Sequence, residues 1–457
     1  MKYPSLRAGR VLAIAAVAAL GISACTPGSN LESTEESSAP AGEVTKDIAS
    51  LGDITLTVWD QEVRGGQNKQ MTQLNAAFEE KYPNVTIDRN SQSFDDLATT
   101  LRLALTGEDA PDVVQANNGR SDMGAFVSTD QIVSLERYAE AYGWKDRYPE
   151  SVLQYSTYSE DGKTFGEGNL YGLPQVGEVV GVYYSESKLE ELGMELPETW
   201  AEFEEALATA SEAGEVPINL GNLEQWPALH VFGPIQGAHV PVDEITALAL
   251  GNEGASWTTP ENEAAASQFG EWAEQGYLGK APNGTAYDDA WTAFADGEGV
   301  FLVAGSWLAA GLEEEMGDDV GFMAPPPVEA GDPPVTTGGT GLPFAITSGS
   351  DHPDAAAAYI DFITSDEAMQ VLADTGNVPV LNTASFTPES DVLQDVYEVY
   401  GEVTSEGSLL PYLDYATPTM GETLGAALQG LIAGRLTTEE FLQEAQADYE
   451  EFTSSGS

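Results

Sequence analysis

The chain carries 75 Asp and Glu against 17 Lys and Arg in 457 residues, a formal net charge of −58 at pH 7. A field of that sign repels nucleic acid and anionic lipid headgroups and excludes both as partners. A hydrophobic content of 42% with 9% aromatics excludes a disordered chain, and single cores stop growing near ~250–300 residues, so two lobes are expected.

Lys2, Arg7 and Arg10 precede an apolar run over residues 11–24 that ends in Ile22-Ser23-Ala24-Cys25. A helix over that run reaches only about 21 Å, short of the ~30 Å hydrocarbon core. A positive start, a short apolar stretch and small residues before a cut are the parts of a secretory signal. Cys25 is the only cysteine, so no disulfide is available, and Ile-Ser-Ala-Cys resembles the bacterial lipobox, in which the thiol is lipidated. Residues 1–24 are therefore expected to be a signal peptide, with lipid on Cys25 as the membrane anchor outside the cell membrane. Residues 25–52 are then a tether rich in Ser, Glu, Pro and Gly, too polar to bury.

The fold is expected to begin with a β-branched and aromatic strand at Ile54-Thr55-Leu56-Thr57-Val58-Trp59. A loop over 60–67 follows, then a helix with Met71, Leu74 and Phe78 at i, i+3 and i+7, stopped by Tyr82-Pro83-Asn84. Val85-Thr86-Ile87 reads as a second strand. Leu97, Leu101 and Leu105 mark a helix ended by Gly107, and residues 110–115 lead into a third strand. Strands alternating with helices predict an α/β fold with a mainly parallel sheet.

Residues 170–200 open the second lobe, and Thr199-Trp200 introduces a helix carrying Phe203, Ala206, Leu207 and Ala210. Residues 216–220 read as a strand, 264–275 and 287–295 as helices, and 300–303 as an apolar strand that turns at Ala304-Gly305-Ser306-Trp307. A Pro-rich loop over 324–334 precedes Thr337-Gly338-Gly339-Thr340-Gly341. Helices are expected over 353–364 and from a Ser365 cap to Gly376, then over 424–433. Thr437-x-x-Glu440 is a capping box for a last helix through Tyr449.

Four segments in this order resemble the extracellular solute-binding proteins of ABC importers, the family that includes maltose-binding protein. They are Thr57-Val58-Trp59 with its loop and helix; Tyr171-Gly172-Leu173-Pro174, Val182-Tyr183-Tyr184 and Pro197-Glu198-Thr199-Trp200; Ala293-Phe294-Ala295-Asp296-Gly297 with Gly305-Ser306-Trp307; and Gly338-Gly339 through His352-Pro353-Asp354 to Gly376-Asn377-Val378-Pro379. The resemblance implies a two-lobed periplasmic-binding-protein-like fold with a ligand cleft between the lobes and a hinge of several chain crossings, near 172–177, 341–346 and 385–395. The first lobe would then hold residues 53–175 and 343–390, and the second 176–342 and 391–457. It further implies a saccharide ligand, separate permease and ATPase subunits, a monomer and no cofactor.

Neutral sugars present hydroxyls and apolar faces, so their site needs carboxylates or amides beside flat aromatics. Loops at strand ends offer both. Trp307 matches a sugar-stacking tryptophan of the family, although a core tryptophan satisfies the same pattern. Glu178 follows the first crossing, where the family often has a hydroxyl-binding carboxylate. Gln225 and Trp226 sit in a loop that corresponds to a ligand-facing segment. Asp60, Gln61 and Glu62 follow the first strand, and Gln115, Asn117 and Asn118 the third, where maltose-binding relatives carry an aromatic. Tyr412 and Asp414 are candidates for the second lobe's wall. Gly339 lies in a run that lets backbone approach the ligand or serves as a flexible turn.

Signals for enzymes are weak. Gly166-x-Gly168 has no strand before it, no Gly-x-Ser-x-Gly elbow occurs, and the Asp288-Asp289 pair is of a kind expected by chance in so acidic a chain. The three histidines, His230, His239 and His352, form no metal-ligand spacing. The alternatives are a secreted glycosidase or lyase, or the same fold with a peptide, polyamine or phosphorylated polyol as ligand. Few Lys or Arg occupy the candidate loops, which disfavours phosphate; Arg64 and Arg120 are the exceptions.

Overall fold

The computed structural model describes residues 43–107, 110–251 and 255–455. The expected signal peptide, the expected lipidation at Cys25 and the expected tether as far as residue 42 lie outside them.

In Ile54–Asp60 (β1) the apolar residues Ile54, Leu56 and Val58 alternate and are all buried, as one core-facing side of a strand requires. β1 pairs in parallel with Val85–Ser91 (β2) on one edge and with Val113–Gln115 (β3) on the other. The helices Gly65–Lys81 and Phe94–Ala104 connect them. Met71, Leu74 and Phe78 are buried by the first, and Leu97 and Leu101 by the second. Ser93 caps the second helix by accepting from the Asp96 amide, which satisfies one of its free N–H groups.

The second sheet is built around Gly177–Ser185 (β4), buried along its whole length. Val180, Val182 and Tyr184 enter one core with the helices Trp200–Ala213, Pro227–His239 and Pro260–Glu274, while Val179 and Tyr183 enter another with Asp391–Glu406. A strand covered on both faces has no polar side to keep. β4 pairs antiparallel with Phe301–Gly305 (β5), Val320–Met323 (β6) and Thr336–Thr340 (β7). The parallel arrangement expected from the sequence thus holds for β1–β3 and not for this sheet.

Phe344–Ile346 (β8) returns to the first sheet, antiparallel to β3, and Leu409–Leu410 (β9) adds to β7 in parallel. Among the described residues, three segments run between the lobes. Leu173 bridges Phe344 while Gly177 pairs with Thr340, so the first two passes run side by side in opposite directions. The third lies between Phe386, packed on the first lobe's core, and Val392 in the second's.

Two other sequence expectations differ from the structure. Residues 216–220 make a single bridge, Ile218 to Phe301, instead of a strand. Pro217 has no N–H to give, and the Ile218 amide goes to the Tyr277 carbonyl. The glycine run at 338–341 is not the flexible turn, one of its two readings, because it starts inside the buried strand β7. A Cβ on Gly338 would lie 2.4 Å from the Glu178 carbonyl oxygen, so only glycine fits at that pairing.

Candidate ligand-binding site

A cavity of about 280 Å³ opens where the strand ends of both lobes face each other. The first lobe lines it with Gln61, Arg64 and Gln67 after β1, Phe94 and Asn117. From the second lobe come Glu178 on β4, Trp226, His230, Trp307 after β5, Thr337 and Thr340 on β7, and Tyr412, Asp414 and Tyr415 beyond β9.

The second-lobe wall is aromatic. Trp226 lies 4.5 Å from Tyr287 and 5.2 Å from His230, centroid to centroid. His230 lies 5.4 Å from Trp307 and 5.5 Å from Tyr412. Trp307 is fixed from behind, because its Nε1 donates to the Tyr287 hydroxyl at 2.8 Å and its ring lies on Gly305, where a Cβ would stand 2.0 Å from Cζ3. Gln225, which leads into the Pro227–His239 helix, holds φ at 75°, a left-handed conformation that costs a non-glycine residue about 1–3 kcal/mol. Its Nε2 donates to Gln429 Oε1 at 3.3 Å.

Both arginines that stood out in the sequence bridge the lobes. Arg64 pairs with Asp288 at 2.8 Å and lies over the Tyr287 ring. Asp288 is well exposed, so the pair is worth about 1 kcal/mol at most. Arg120 is buried, and its Nη1 donates to the carbonyls of Leu250 and Ala416 at 2.8 Å each. Phe94 of the first lobe meets Trp226 of the second at 5.9 Å. Arg102, also on the wall, is paired with Asp122 at 2.9 Å.

Three carboxyls stand at the cavity or just behind its wall: Glu178 and Glu62 are buried, and Asp414 is half-buried. Burial, then the charge of Glu62, pushes Glu178 up to about 8, with the Tyr412 hydroxyl opposing. Burial pushes Glu62 up to about 7 against a hydrogen bond from Gln115. Burial likewise raises Asp414 to about 7. A carboxyl whose folded pKa lies above its unfolded value binds more protons folded than unfolded. Its stabilising contribution is complete below the unfolded pKa and is lost as pH rises through the folded one. The unliganded protein is therefore expected to lose stability between about pH 5 and 8, read as a falling Tm. Glu178→Gln, which holds the neutral shape, should flatten that slope; an unchanged slope would remove Glu178 as a cause.

Of the residues singled out in the sequence, Gln61, Asn117, Glu178, Gln225, Trp226, Trp307, Tyr412 and Asp414 line the cavity. Five others stand behind the wall. Asp60 is wholly buried under Arg89, which gives it two hydrogen bonds of 2.6 and 2.7 Å. Glu62 and Gln115 hold each other at 2.8 Å. Asn118 reaches Thr340 Oγ1 at 3.4 Å, and Gly339 takes part in the β4–β7 ladder. Sequence reasoning missed Phe94, His230, Thr337 and Tyr415. His230 follows Trp226 by one helical turn, a spacing that would have found it had 227–239 been read as a helix.

Two α/β lobes joined by three passes, with a cavity of aromatic rings and carboxyls between them, define a cleft-type binding protein. The chain belongs to the bacterial extracellular solute-binding protein family, whose model matches residues 65–370. It is 24% identical over 314 residues to the multiple sugar-binding protein of Streptococcus mutans, a stretch that covers 66% of this chain and 70% of that relative. Its fold is similar to that of a chitin oligosaccharide binding protein, with a TM-score of 0.76 and 21% identity over 88% of this chain and 99% of the other. It is also similar to the solute-binding protein RafE in complex with raffinose, with a TM-score of 0.67 and 20% identity over 87% and 99% of the two chains.

Proposed function

We propose that this chain is the extracytoplasmic substrate-binding lipoprotein of an ABC importer and that it holds a mono- or oligosaccharide between its lobes for delivery to a permease. The observation that carries the reading is the cavity itself. Trp226, Trp307 and Tyr412 offer flat faces, and Glu178, Asp414, Gln61 and Asn117 offer hydrogen-bonding groups, all in one cleft. Rings stack on the C–H faces of a pyranose, and carboxylates and amides take its hydroxyls. The named ligands of the similar proteins, multiple sugars, chitin oligosaccharide and raffinose, agree with it. Binding shifts an open–closed equilibrium toward the closed form that a permease recognises, and no bond is made or broken.

The test is calorimetry against a panel of di- to tetrasaccharides with small-angle scattering on the same samples. One-to-one heat and a smaller radius of gyration with at least one sugar are expected; neither signal with any sugar, or release of cleavage products, would sink the reading. The anchor is tested apart from the cleft. Cys25→Ser is expected to move the protein from the membrane fraction to the medium while saccharide affinity stays within about twofold, since Cys25 precedes the cavity-lining residues by a tether of polar composition.

A further inference from the structure

The aromatic wall contains a polar point that neither the family match nor the similar proteins identify. His230 and Thr337 both line the cavity, and both are at least nine-tenths buried. Neither His230 Nδ1 nor Thr337 Oγ1 has a hydrogen-bond partner among the described residues. Buried polar atoms are ordinarily paired, because leaving one unmade forfeits its hydration.

The fold brings both residues to one cavity wall for a reason visible in the chain. Gly233 and Gly237 let the Pro227–His239 helix sit directly on β7 and the residue before it. A Cβ on Gly233 would stand 2.7 Å from Thr337 Cγ2, and one on Gly237 would stand 2.9 Å from Val335 Cγ1. His230 lies one turn before Gly233 on the same helix face, so the helix that packs on Thr337 carries it to the same cavity wall. The rings of Trp226, Trp307 and Tyr412 surround it at 5.2, 5.4 and 5.5 Å. No carboxylate shares a hydrogen bond or salt bridge with it among the described residues, and burial pushes its pKa down to about 3.

We infer that His230 and Thr337 form a hydroxyl-recognition subsite that selects the saccharide and takes neighbouring hydroxyls of one pyranose ring. The inference rests on the saccharide reading of the cleft. A neutral imidazole presents one donor and one acceptor nitrogen, and a threonine hydroxyl does both. The pair can therefore accept from one hydroxyl and donate to the next without placing a charge in the ring-lined pocket. A hydrogen-bonding site of this kind rejects an analogue that lacks the hydroxyl far more strongly than a hydrophobic pocket rejects one that is a methylene short.

The experiment titrates raffinose, maltotriose and N,N′-diacetylchitobiose calorimetrically into the full mature chain and three variants. His230→Phe keeps an aromatic ring without nitrogens and is expected to weaken the best of these probes about 10- to 100-fold. Thr337→Val, nearly the same shape, should weaken it about tenfold. His230→Asn retains a hydrogen-bonding atom near the position of Nδ1 and should recover most of the affinity lost in His230→Phe. A structural role predicts the opposite ranking, since asparagine packs worse among rings than phenylalanine; melting curves of the unliganded variants read that separately. Heat with the wild type that is undiminished in His230→Phe and Thr337→Val overturns the subsite and leaves the saccharide reading standing. Absence of heat in the wild type with all three probes overturns the subsite for this ligand class, and the wider sugar panel then decides the reading itself.

Discussion

Trp307→Ala is expected to weaken saccharide binding by about 2–4 kcal/mol, roughly 30- to 1000-fold in Kd, the range in which truncation of a well-packed aromatic anchor falls. The ring stands at the end of β5 with its nitrogen tied to Tyr287, so its orientation is set before ligand arrives and little ordering entropy opposes stacking. Trp307→Phe keeps a flat face and should recover part of the loss, while Tyr287→Phe, which removes only the tie, should cost less than the ring. The sharper variant is Gly305→Ala. Gly305 has an ordinary φ of −84°, so alanine meets no backbone strain there. The new methyl would instead enter the Trp307 ring, and the ring has to leave its position. Affinity should fall at least tenfold, with about 1–3 kcal/mol of lost stability from overpacking. Trp307→Ala that binds every probe like the wild type would return Trp307 to the role of a core residue.

The parts of this chain legible in the sequence are those whose physics is local. Thr437 with Glu440 forms the reciprocal cap that their spacing announces, the helix that Thr199-Trp200 introduces starts at Trp200, and the helix expected over 287–295 runs Tyr287–Ala295. What escaped was decided by distant partners. The Pro227–His239 helix holds Gly233, Pro234 and Gly237 in its interior, residues of poor helix propensity, and it forms because those glycines let it pack onto β7. β7 itself reads Thr-Thr-Gly-Gly-Thr, a weak strand pattern, and exists because β4 supplies its ladder. The site shows the same division. Aromatic and acidic residues at strand ends could be picked out, but which carboxylate faces the cavity depends on where Arg89 points, and no spacing reveals that. Helix 227–239 and β7 were missed together, and with them His230 and Thr337.

Asp60 gives the other large expected effect, on stability. Its carboxylate, with no exposed surface, accepts from Arg89 Nε and Nη2, and its Oδ1 also accepts from the Glu62 amide at 2.9 Å. Arg89 in turn donates to the Glu62 carbonyl and Asn68 Oδ1 at 2.7 Å each. The pair thereby folds the loop that carries Gln61, Arg64 and Gln67 to the cavity. Removing one partner of a buried pair leaves the other charge unanswered, at a cost of about 3–5 kcal/mol; Arg89 keeps a little water contact, so Asp60→Ala is expected near the low end, about 3 kcal/mol. The measurement is the denaturant midpoint of the unliganded protein, with Arg89→Met and the double variant completing a cycle. The double variant should lie well above the sum of the singles, because no lone buried charge remains. A ligand-contacting Asp60 predicts the reverse pattern. Affinity would then fall while the unfolding midpoint stayed at its wild-type value, and that result would move Asp60 from the support of the loop to the wall of the cleft.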